Sequence, residues 1–346
     1  MCRGAAEIRE APMKTFRVES AGVGGLVDVP QSGARNGEIL LRVRLVGMCG
    51  TDLNTFCGRN PMVVFPRVLG HEVAAEVVDT TGDLAAGTAV TLSPYTSCGA
   101  CPACIQGRVN ACQRNETMGV QRDGAMTEFI SVPREKIYPA KLTLKELCLV
   151  EPLTVGFHAV ARGRVTARDT VAVFGCGGVG LGAIAASAFR GAETIAIDMD
   201  DVKLEVACRA GAKHTIHTAR EDLHTRLAEI TNGQGPQVMI EAIGLPQTFR
   251  AAVEEVAFTG RVVYIGYAKE PVAYETRLFV QKELDILGSR NALPEDFREV
   301  IRMLEAKRFP VEDTISAIVP IEDAARLLRE WSDTPQRFTK IMVQIN

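Results

Sequence analysis

The chain has 346 residues, 47% of them hydrophobic and 23% charged, which is typical of a globular protein with two domains. Its 39 Lys+Arg and 42 Asp+Glu give a formal net charge of -3, which argues against nucleic-acid binding through a basic surface. No apolar run is long enough to cross a bilayer, so no membrane role is expected. Residues 1–12 carry both charge signs and do not resemble a signal peptide. We expect them to form a flexible extension ahead of a working start near Met13.

The residues before about position 153 follow a β pattern. Segments 39–46 and 73–78 are rich in aliphatic residues and alternate with turns that contain Gly or Pro. Patterns with a helical period are scarce in this part of the chain. It is therefore expected to be mostly β.

After residue 153, predicted strands and helices alternate. Strands are predicted at 170–174, 194–197, 214–217, 237–241, 261–266 and 284–287, and helices at 179–189, 201–210, 221–230 and 246–257. This alternation requires crossover connections and predicts a parallel sheet covered on both faces. From 294 onward, helices at 295–306 and 321–330 and a strand at 339–345 do not continue the alternation.

A glycine-rich loop follows the predicted strand 170–174 and opens the next helix. It fits the GxGxxG pattern, in which the glycines permit a tight turn, close approach of a pyrophosphate, and close packing of helix on strand. The helix N-terminus then offers amides to the anion. The alternative is a glycine-rich turn that binds nothing. The residues assigned to the cofactor are Gly175, Gly177, Gly178, Val179 and Gly180.

Asp198 ends the next predicted strand, at the spacing of a carboxylate that binds the adenosine ribose. Asp200 and Asp201 follow, and no arginine sits beside them in the sequence. A 2′-phosphate would meet uncompensated negative charge there, so NAD is favoured over NADP. Lys203 is expected to reach the same ribose.

The ten cysteines divide into a cluster and a scattered set. A disulfide framework is typical of small secreted chains, so we expect a reducing cytoplasm. Four clustered thiolates would close a tetrahedral shell around a structural zinc, although thiolates also bind iron–sulfur clusters. A nucleic-acid-binding zinc ribbon is disfavoured because the loop is not basic. The cluster consists of Cys98, Cys101, Cys104 and Cys112.

A second candidate metal site is dispersed along the chain. Three such ligands with an open fourth position would make a Lewis-acid site for an alcohol oxygen. A single His or Cys is more often structural, and dispersed ligands obey no spacing rule. The candidates are Cys49, His71, Glu72 and Glu151.

The order of these motifs resembles that of the zinc-dependent medium-chain alcohol and polyol dehydrogenases. The resemblance rests on Cys-Gly-Thr-Asp at 49–52, Gly-His-Glu at 70–72, the clustered cysteines, Glu-Pro-Leu at 151–153 and GxGxxG. It implies an α/β chain with a GroES-like, mostly β catalytic domain (1–152 and 291–346) and an inserted, doubly wound Rossmann NAD-binding domain (153–290). It also implies two zinc ions per chain and a homo-oligomer, either a dimer or a tetramer.

The resemblance also implies roles for individual residues. Cys49 and His71 would bind the catalytic zinc, with Glu72 and Glu151 as acidic partners, as in the sorbitol dehydrogenase-like branch. Which glutamate binds directly stays open. Asp52 would orient His71. Thr51 would take the substrate proton, although a hydroxyl that caps a turn is an equal alternative.

The substrate is harder to predict. Relatives often carry His where this chain has Asn54, so the proton needs another outward route. Segments 65–72, 287–292 and 294–297 resemble the branch of L-galactonate-type sugar-acid 5-dehydrogenases. Arg290 could bind a carboxylate or a polyol hydroxyl, or be an ion-paired surface arginine. Asn54 and Phe56 are further candidates for the substrate pocket, with plain packing as the alternative for Phe56.

The leading prediction is a zinc- and NAD-dependent dehydrogenase for a secondary hydroxyl of a sugar acid or polyol. An L-threonine-type or simple-alcohol dehydrogenase on the same scaffold is the second. The third, from another class, is an idle NAD-binding or redox-sensing relative. The intact candidate ligands disfavour this last alternative, because an idle protein has no need of an open metal site.

Overall fold

The computed structural model describes residues 12–31, 33–35 and 37–345. The chain divides into two compact units: Met1–Thr96, Arg114–Glu151 and Ile315–Asn346 form the first, and Ser97–Gln113 and Pro152–Thr314 form the second. The expected N-terminal extension lies outside the described residues apart from Pro12. Segments 97–113 and 291–314 fall in the second unit, whereas the sequence assigned them to the GroES-like domain.

The first unit is built on two sheets. The smaller has the order β2-β1-β4 and the larger the order β15-β16-β3-β5-β6-β8, with β7 paired to β3. β15 and β16 are parallel, and the other pairs are antiparallel. The strands are β1 (Pro12–Ser20), β2 (Val23–Pro30), β3 (Glu38–Met48), β4 (Arg67–Val68), β5 (Glu72–Val77), β6 (Ala89–Leu92), β7 (Phe129–Pro133), β8 (Ile137–Pro139), β15 (Ile315–Pro320) and β16 (Lys340–Gln344).

Strand β3 lies at the centre of the larger sheet and supplies much of the core of this unit. Leu41 and Val43 are fully buried, as are Val73 and Ala75 on the paired strand β5. The aliphatic runs at 39–46 and 73–78 therefore form the expected strands, because their side chains pack against one apolar cluster. Helix α11 (Ala324–Asp333) covers the same cluster.

The second unit contains a six-stranded, all-parallel sheet. Its order, β11-β10-β9-β12-β13-β14, is that of a doubly wound Rossmann fold, with the switch point between β9 and β12. The expected doubly wound sheet is thus present. The strands are β9 (Thr170–Phe174), β10 (Glu193–Asp198), β11 (His214–His217), β12 (Val238–Glu241), β13 (Arg261–Tyr264) and β14 (Asp285–Gly288).

Four helices connect strands of this sheet at the predicted places: α4 (Gly178–Phe189), α5 (Asp201–Arg209), α6 (Leu223–Ile230) and α7 (Pro246–Glu255). A short helix that was not predicted, α8 (Arg277–Gln281), lies between β13 and β14, and the predicted α9 (Pro294–Glu305) follows β14. The remaining helices are α1 (Gly50–Phe56), α2 (Pro102–Ile105), α3 (Leu144–Arg162) and α10 (Val311–Thr314). In the described part of the chain, no helix has the length and apolar character needed to span a membrane.

Two of the elements that were not predicted from the sequence bear on the domain boundaries. The first is α3, a 19-residue helix with Pro152 inside it. Proline in a helix interior removes a hydrogen bond, so the pattern favoured a break near 153. The buried Leu147, Val150 and Leu153 show that packing outweighs this cost. The second is β15, whose only partner in the described sheet is β16.

Candidate metal and nucleotide sites

Helix α1 holds two of the predicted residues. Cys49 is its N-cap: the thiol accepts a hydrogen bond from the Thr51 amide at 3.2 Å. Asp52 completes a capping box, because its Oδ2 accepts from the Cys49 amide at 2.9 Å. The local sequence thereby fixes the direction of the Cys49 side chain.

Asp52 also reaches the segment that carries His71. Its Oδ1 accepts from the Gly70 amide at 3.0 Å and lies 3.8 Å from His71 Nδ1, beyond hydrogen-bond range. Gly70 has φ +94°, and a Cβ there would lie 2.6 Å from Val46 Cγ1, so only glycine fits. Asp52 thus holds two backbone segments together, which sequence reasoning had not foreseen.

The His71 ring lies against Cys49. Its Nε2 is 3.1 Å from Cys49 Sγ, and its buried Nδ1 has no hydrogen-bond partner among the described residues. Burial opposes protonation, but the Cys49 sulfur and Asp52 raise the pKa of His71 well above its ordinary 6.5. The ring therefore occupies a strongly anionic environment.

Glu72 is almost completely buried and has an unexpected cationic partner. Lys340 Nζ, on β16, donates to Glu72 Oε1 at 2.6 Å and to Oε2 at 2.7 Å. Burial works against charge on Lys340, but Glu72 raises its pKa above the ordinary 10.5. Gly47 leaves room for this carboxylate, because a Cβ there would lie 2.0 Å from Glu72 Oε2. No spacing in the sequence indicated Lys340.

Glu151 approaches the same place from α3. Its Oε1 accepts a hydrogen bond from the Tyr95 hydroxyl, and both side chains are buried. Burial raises the pKa of Glu151 above its ordinary 4.5. Burial and the nearby Glu151 also raise the pKa of Tyr95 well above its ordinary value, so the phenol stays a donor.

These side chains fit a divalent cation. Ligand atoms of His71, Glu72 and Glu151 lie within 4.8 Å of one another, and so do those of Cys49, Asp52 and His71. His71 and Lys340 can carry positive charge beside the three buried carboxylates and the thiol. Buried anions are costly without compensating charge, and a divalent cation at this place would add to that compensation.

The four clustered cysteines also converge. They lie on the loop around α2, and their sulfur atoms all lie within 4.8 Å of one another. Cys101 Sγ is 3.9 Å from Cys112 Sγ. In a tetrahedron with zinc–sulfur bonds of about 2.3 Å, sulfurs stand about 3.8 Å apart. One shared ion therefore fits this spacing better than a cluster of several irons, whose ligands bind different metal atoms.

The backbone of this loop favours the thiolate form of Cys101. Amide groups of Gln113 and Cys104 lower the pKa of Cys101 to about 6. Burial raises the pKa of Cys104 to about 11, so the four sulfurs do not share one environment. None of the nine cysteines among the described residues forms a disulfide, as a metal-binding role requires.

The glycine-rich loop lies at the switch point of the parallel sheet. Gly175 has φ +92°, and a Cβ on Gly180 would lie 1.7 Å from Gly175 O, so both positions require glycine. Gly177 is the N-cap of α4 without a side-chain cap, and a Cβ there would meet open space. A helix N-terminus with this open approach at Gly177 is suited to a phosphate, and the loop therefore fits a dinucleotide.

Asp198 ends β10 beside this loop. Its Oδ2 accepts from the Cys176 amide at 2.8 Å, which ties the carboxylate to the glycine-rich turn. The expectation that no arginine lies nearby holds only for the sequence neighbours, because Arg220 pairs with Asp201 across the fold. Lys203 lies in the first turn of α5, and its backbone amide donates a hydrogen bond to Asp200 Oδ1.

The structure places the remaining candidates as follows. Thr51 is half-buried and Asn54 is exposed on α1. Phe56 belongs to the buried core, which favours the packing alternative. The Arg290 side chain is exposed and has no ion pair or side-chain hydrogen bond within the described residues. Two further histidines pair with acids, His214 with Glu193 and His224 with Glu255.

Known proteins are similar to this chain. Family models match the alcohol dehydrogenase GroES-like domain at residues 35–142 and the zinc-binding dehydrogenase domain at 178–306. The chain is 34% identical over 281 residues to L-galactonate-5-dehydrogenase of Escherichia coli K12, covering 80% of this chain and 82% of that protein.

Two solved structures are similar over nearly the whole chain. An alcohol dehydrogenase from E. coli CFT073 in complex with NADH has a TM-score of 0.88 at 27% identity, covering 96% of this chain and 99% of that one. A zinc-binding dehydrogenase from Sinorhizobium meliloti 1021 bound to NADP has a TM-score of 0.89 at 28% identity, with the same coverage.

Fold and motifs together define an oxidoreductase with a GroES-like domain and a Rossmann-type nucleotide-binding domain. The chain belongs to the zinc-type alcohol dehydrogenase family, whose members act on CH–OH groups. The resemblance noted from the order of its motifs is thereby confirmed.

Proposed function

We propose that this protein is a zinc-dependent dehydrogenase that transfers a hydride from a secondary hydroxyl of a sugar acid or polyol to NAD. The observation that carries the proposal is the buried group of His71, Glu72 and Glu151, with Cys49 beside the His71 ring. When bound, zinc would act as a Lewis acid toward the hydroxyl oxygen, and NAD would accept the hydride from its carbon.

The proposed ligands of the catalytic zinc are Cys49, His71 and Glu151. Glu72 is proposed as an indirect partner, because Lys340 engages both of its carboxylate oxygens and compensates its charge. A carboxylate neutralised in this way is a weaker ligand than one facing the ion directly. Cys98, Cys101, Cys104 and Cys112 would bind the second, structural zinc.

Thr51 is proposed to take the proton of the substrate hydroxyl. It lies in the first turn of α1, one residue beyond Gly50, and its amide already fixes the neighbouring Cys49 sulfur. Asn54 does not titrate near neutrality, so the proton would leave through water or a ribose hydroxyl rather than through this side chain.

Arg290 is proposed to bind the carboxylate of a sugar acid. Its guanidinium is exposed and unpaired among the described residues, which favours a ligand over the surface ion pair that the sequence also allowed. A guanidinium binds a carboxylate in a bidentate manner, whereas a neutral polyol offers only hydroxyl groups. The similarity to L-galactonate-5-dehydrogenase supports a sugar acid.

The deciding experiment is reduction of NAD by metal-replete protein over a panel of aldonates, uronates, polyols, L-threonine and simple alcohols. We expect the highest kcat/KM on a sugar acid. Arg290→Leu should cost several-fold more in kcat/KM on that acid than on the matching polyol, and Arg290→Lys should cost less. Equal losses on both substrates would remove the carboxylate role of Arg290.

The idle-relative alternative makes a different prediction. Such a protein would bind NAD but turn over nothing on the panel, and it would have no need of a catalytic metal. Mass spectrometry of the native protein should find two zinc ions per chain under our proposal. One zinc together with no turnover would favour the alternative.

We also propose that the protein forms a homo-oligomer, a dimer or tetramer, in the cytoplasm. β14 is the edge of the parallel sheet, and its outer side has no partner strand in the described residues. Ile286 on this strand is 40% exposed, and an open apolar edge favours pairing with a second copy. Ile286→Lys should shift the mass measured by light scattering toward the monomer.

A further inference from the structure

A buried polar network connects the cysteine loop with the turn that follows β14. Asn110 lies on this loop and is 2% exposed. Its Nδ2 donates to Arg290 O at 2.7 Å and lies 2.9 Å from His158 Nε2. His158 Nδ1 in turn lies 2.9 Å from Asp296 Oδ2. None of these contacts belongs to either candidate metal site or to the glycine-rich loop.

The direction of each hydrogen bond follows from chemistry. A carbonyl oxygen only accepts, so the Asn110 amide nitrogen must face Arg290 O, and its second hydrogen points at His158 Nε2. Nε2 must then accept, which places the ring proton on Nδ1, where the Asp296 carboxylate accepts it. The three side chains therefore have one consistent arrangement of hydrogen bonds.

The same groups fix the backbone on both sides of Arg290. Asn291 has φ +52°, a left-handed conformation that is uncommon outside glycine. Its side chain donates to Asn110 O at 3.1 Å, so Asn110 and the turn are joined by two reciprocal hydrogen bonds. On the preceding side, the Ser289 amide donates to Tyr264 O at 2.9 Å and extends the β13–β14 pairing.

Asp296 holds the far end of the turn. We call the contacts of Asn110, His158 and Asp296 with this turn the clamp. Asp296 Oδ2 accepts from the Leu293 amide at 2.7 Å as well as from His158, which ties the N-cap residue of α9 to its first turn. The backbone of residues 289–296 is thus held at several points, whereas the Arg290 guanidinium is exposed. A rigid backbone that carries an exposed guanidinium presents that group at low entropic cost.

We infer that Asn110, supported by His158 and Asp296, is a positioning residue that orients Arg290 toward the carboxylate of the substrate. This inference rests on the proposed function of Arg290. It goes beyond that function in assigning the cysteine loop a part in substrate specificity besides its part in metal binding.

The first test is a double-mutant cycle between Asn110→Asp and Arg290→Leu in metal-replete protein, with metal content measured for each variant. Asn110→Asp keeps the shape of the side chain but removes both donated hydrogen bonds. We expect KM for the sugar acid to rise about tenfold, with kcat and the KM for NAD within twofold of wild type. In the Arg290→Leu background, Asn110→Asp should leave KM unchanged.

If Asn110 had a purely structural role, the effects of Asn110→Asp and Arg290→Leu on KM would be independent and would multiply. A second tenfold rise in the Arg290→Leu background overturns the inference. His158→Gln, outside the cysteine loop, should behave like Asn110→Asp. His214→Gln is the matched control, since His214 is also paired with a carboxylate in the same unit, and it should leave both KM values unchanged.

Hydrogen exchange separates this inference from the proposed function. If the wild type oxidises no sugar acid, the proposed function has failed, but the clamp can still be tested. Amides of residues 291–293 should exchange at least tenfold faster in Asn110→Asp and His158→Gln than in wild type or His214→Gln. Unchanged exchange in both variants would show that the network does not order this turn.

Discussion

Lys340 donates to both carboxylate oxygens of Glu72, at 2.6 and 2.7 Å, although 268 residues separate the two in the sequence. Strand β16 brings them together, because it pairs with β3, which in turn pairs with β5, where Glu72 is the first residue. The C-terminal strand therefore supplies a charge that the N-terminal candidate metal site requires.

Removing Lys340 should destabilise the protein. Lys340→Met leaves Glu72 buried without its cation, a change that typically costs about 3–5 kcal/mol. Chemical denaturation of metal-replete protein measures the loss. Lys340→Arg keeps the charge and should retain most of the stability, and Glu72→Gln together with Lys340→Met should recover part of it. A Lys340→Met protein as stable as wild type would show that the ion pair is dispensable.

Thr51→Val tests the proposed proton acceptor. The valine keeps the shape and the backbone hydrogen bond to Cys49 but removes the hydroxyl, so kcat should fall by about tenfold or more. The KM for NAD should stay within twofold. Thr51→Ser, which keeps the hydroxyl, should recover most of the turnover. Equal losses in turnover and in NAD affinity would count against a role of Thr51 in proton transfer.

Asp198 and Asp201 should set the choice between NAD and NADP. Asp198→Ala removes the carboxylate proposed to bind the ribose and should weaken NAD binding by about tenfold to a hundredfold. Asp201→Ala releases Arg220 and should improve the use of NADP. Asp222→Ala, on the exposed N-cap of α6, is the control. Wild-type protein that uses both cofactors equally would contradict the assignment.

The cysteine cluster should hold one metal ion that stabilises the fold. Cys101→Ser is expected to lower the zinc content by one ion per chain and the stability by about 3 kcal/mol, equivalent to a shift in Tm of about 6–12 °C. Cys208→Ser, which changes an exposed cysteine outside the cluster, should alter neither quantity. Full zinc content in the Cys101 variant would refute the proposed site.

Asp169 should make stability depend on acid pH. Burial alone would raise the pKa of Asp169, but the Arg261 guanidinium and Thr166 lower it below the ordinary 3.8. Because the folded pKa is the lower one, the stabilisation is present above about pH 4 and is lost as pH falls through the folded pKa.

Asp169→Asn should therefore cost about 1.5–3 kcal/mol at pH 7 and flatten the decline of stability below pH 4. Denaturant unfolding between pH 2 and pH 7 measures both effects. Asp79→Asn makes the same charge change at an exposed carboxylate and should have little effect. If the stability of Asp169→Asn declined below pH 4 as steeply as that of wild type, Asp169 would not be the source of the pH dependence.

The features that depend on a local pattern of residues could be predicted from the amino-acid sequence alone. The glycine spacing after β9 reflects backbone contacts within a few residues, and the cysteine spacing places four thiols on one loop. The alternation of strands and helices predicts the parallel sheet, because each crossover is local in sequence. The motif order then indicated the family.

The features that join distant segments could be recognised only in the folded chain. Lys340 beside Glu72, Arg220 beside Asp201 and the clamp of Asn110 on Arg290 all depend on which strands and loops become neighbours. A buried charge or amide is satisfied by whichever group the fold brings near, at any sequence separation. Helix α3 was not predicted because it too depends on tertiary contacts. The packing of its apolar residues outweighs the local cost of Pro152.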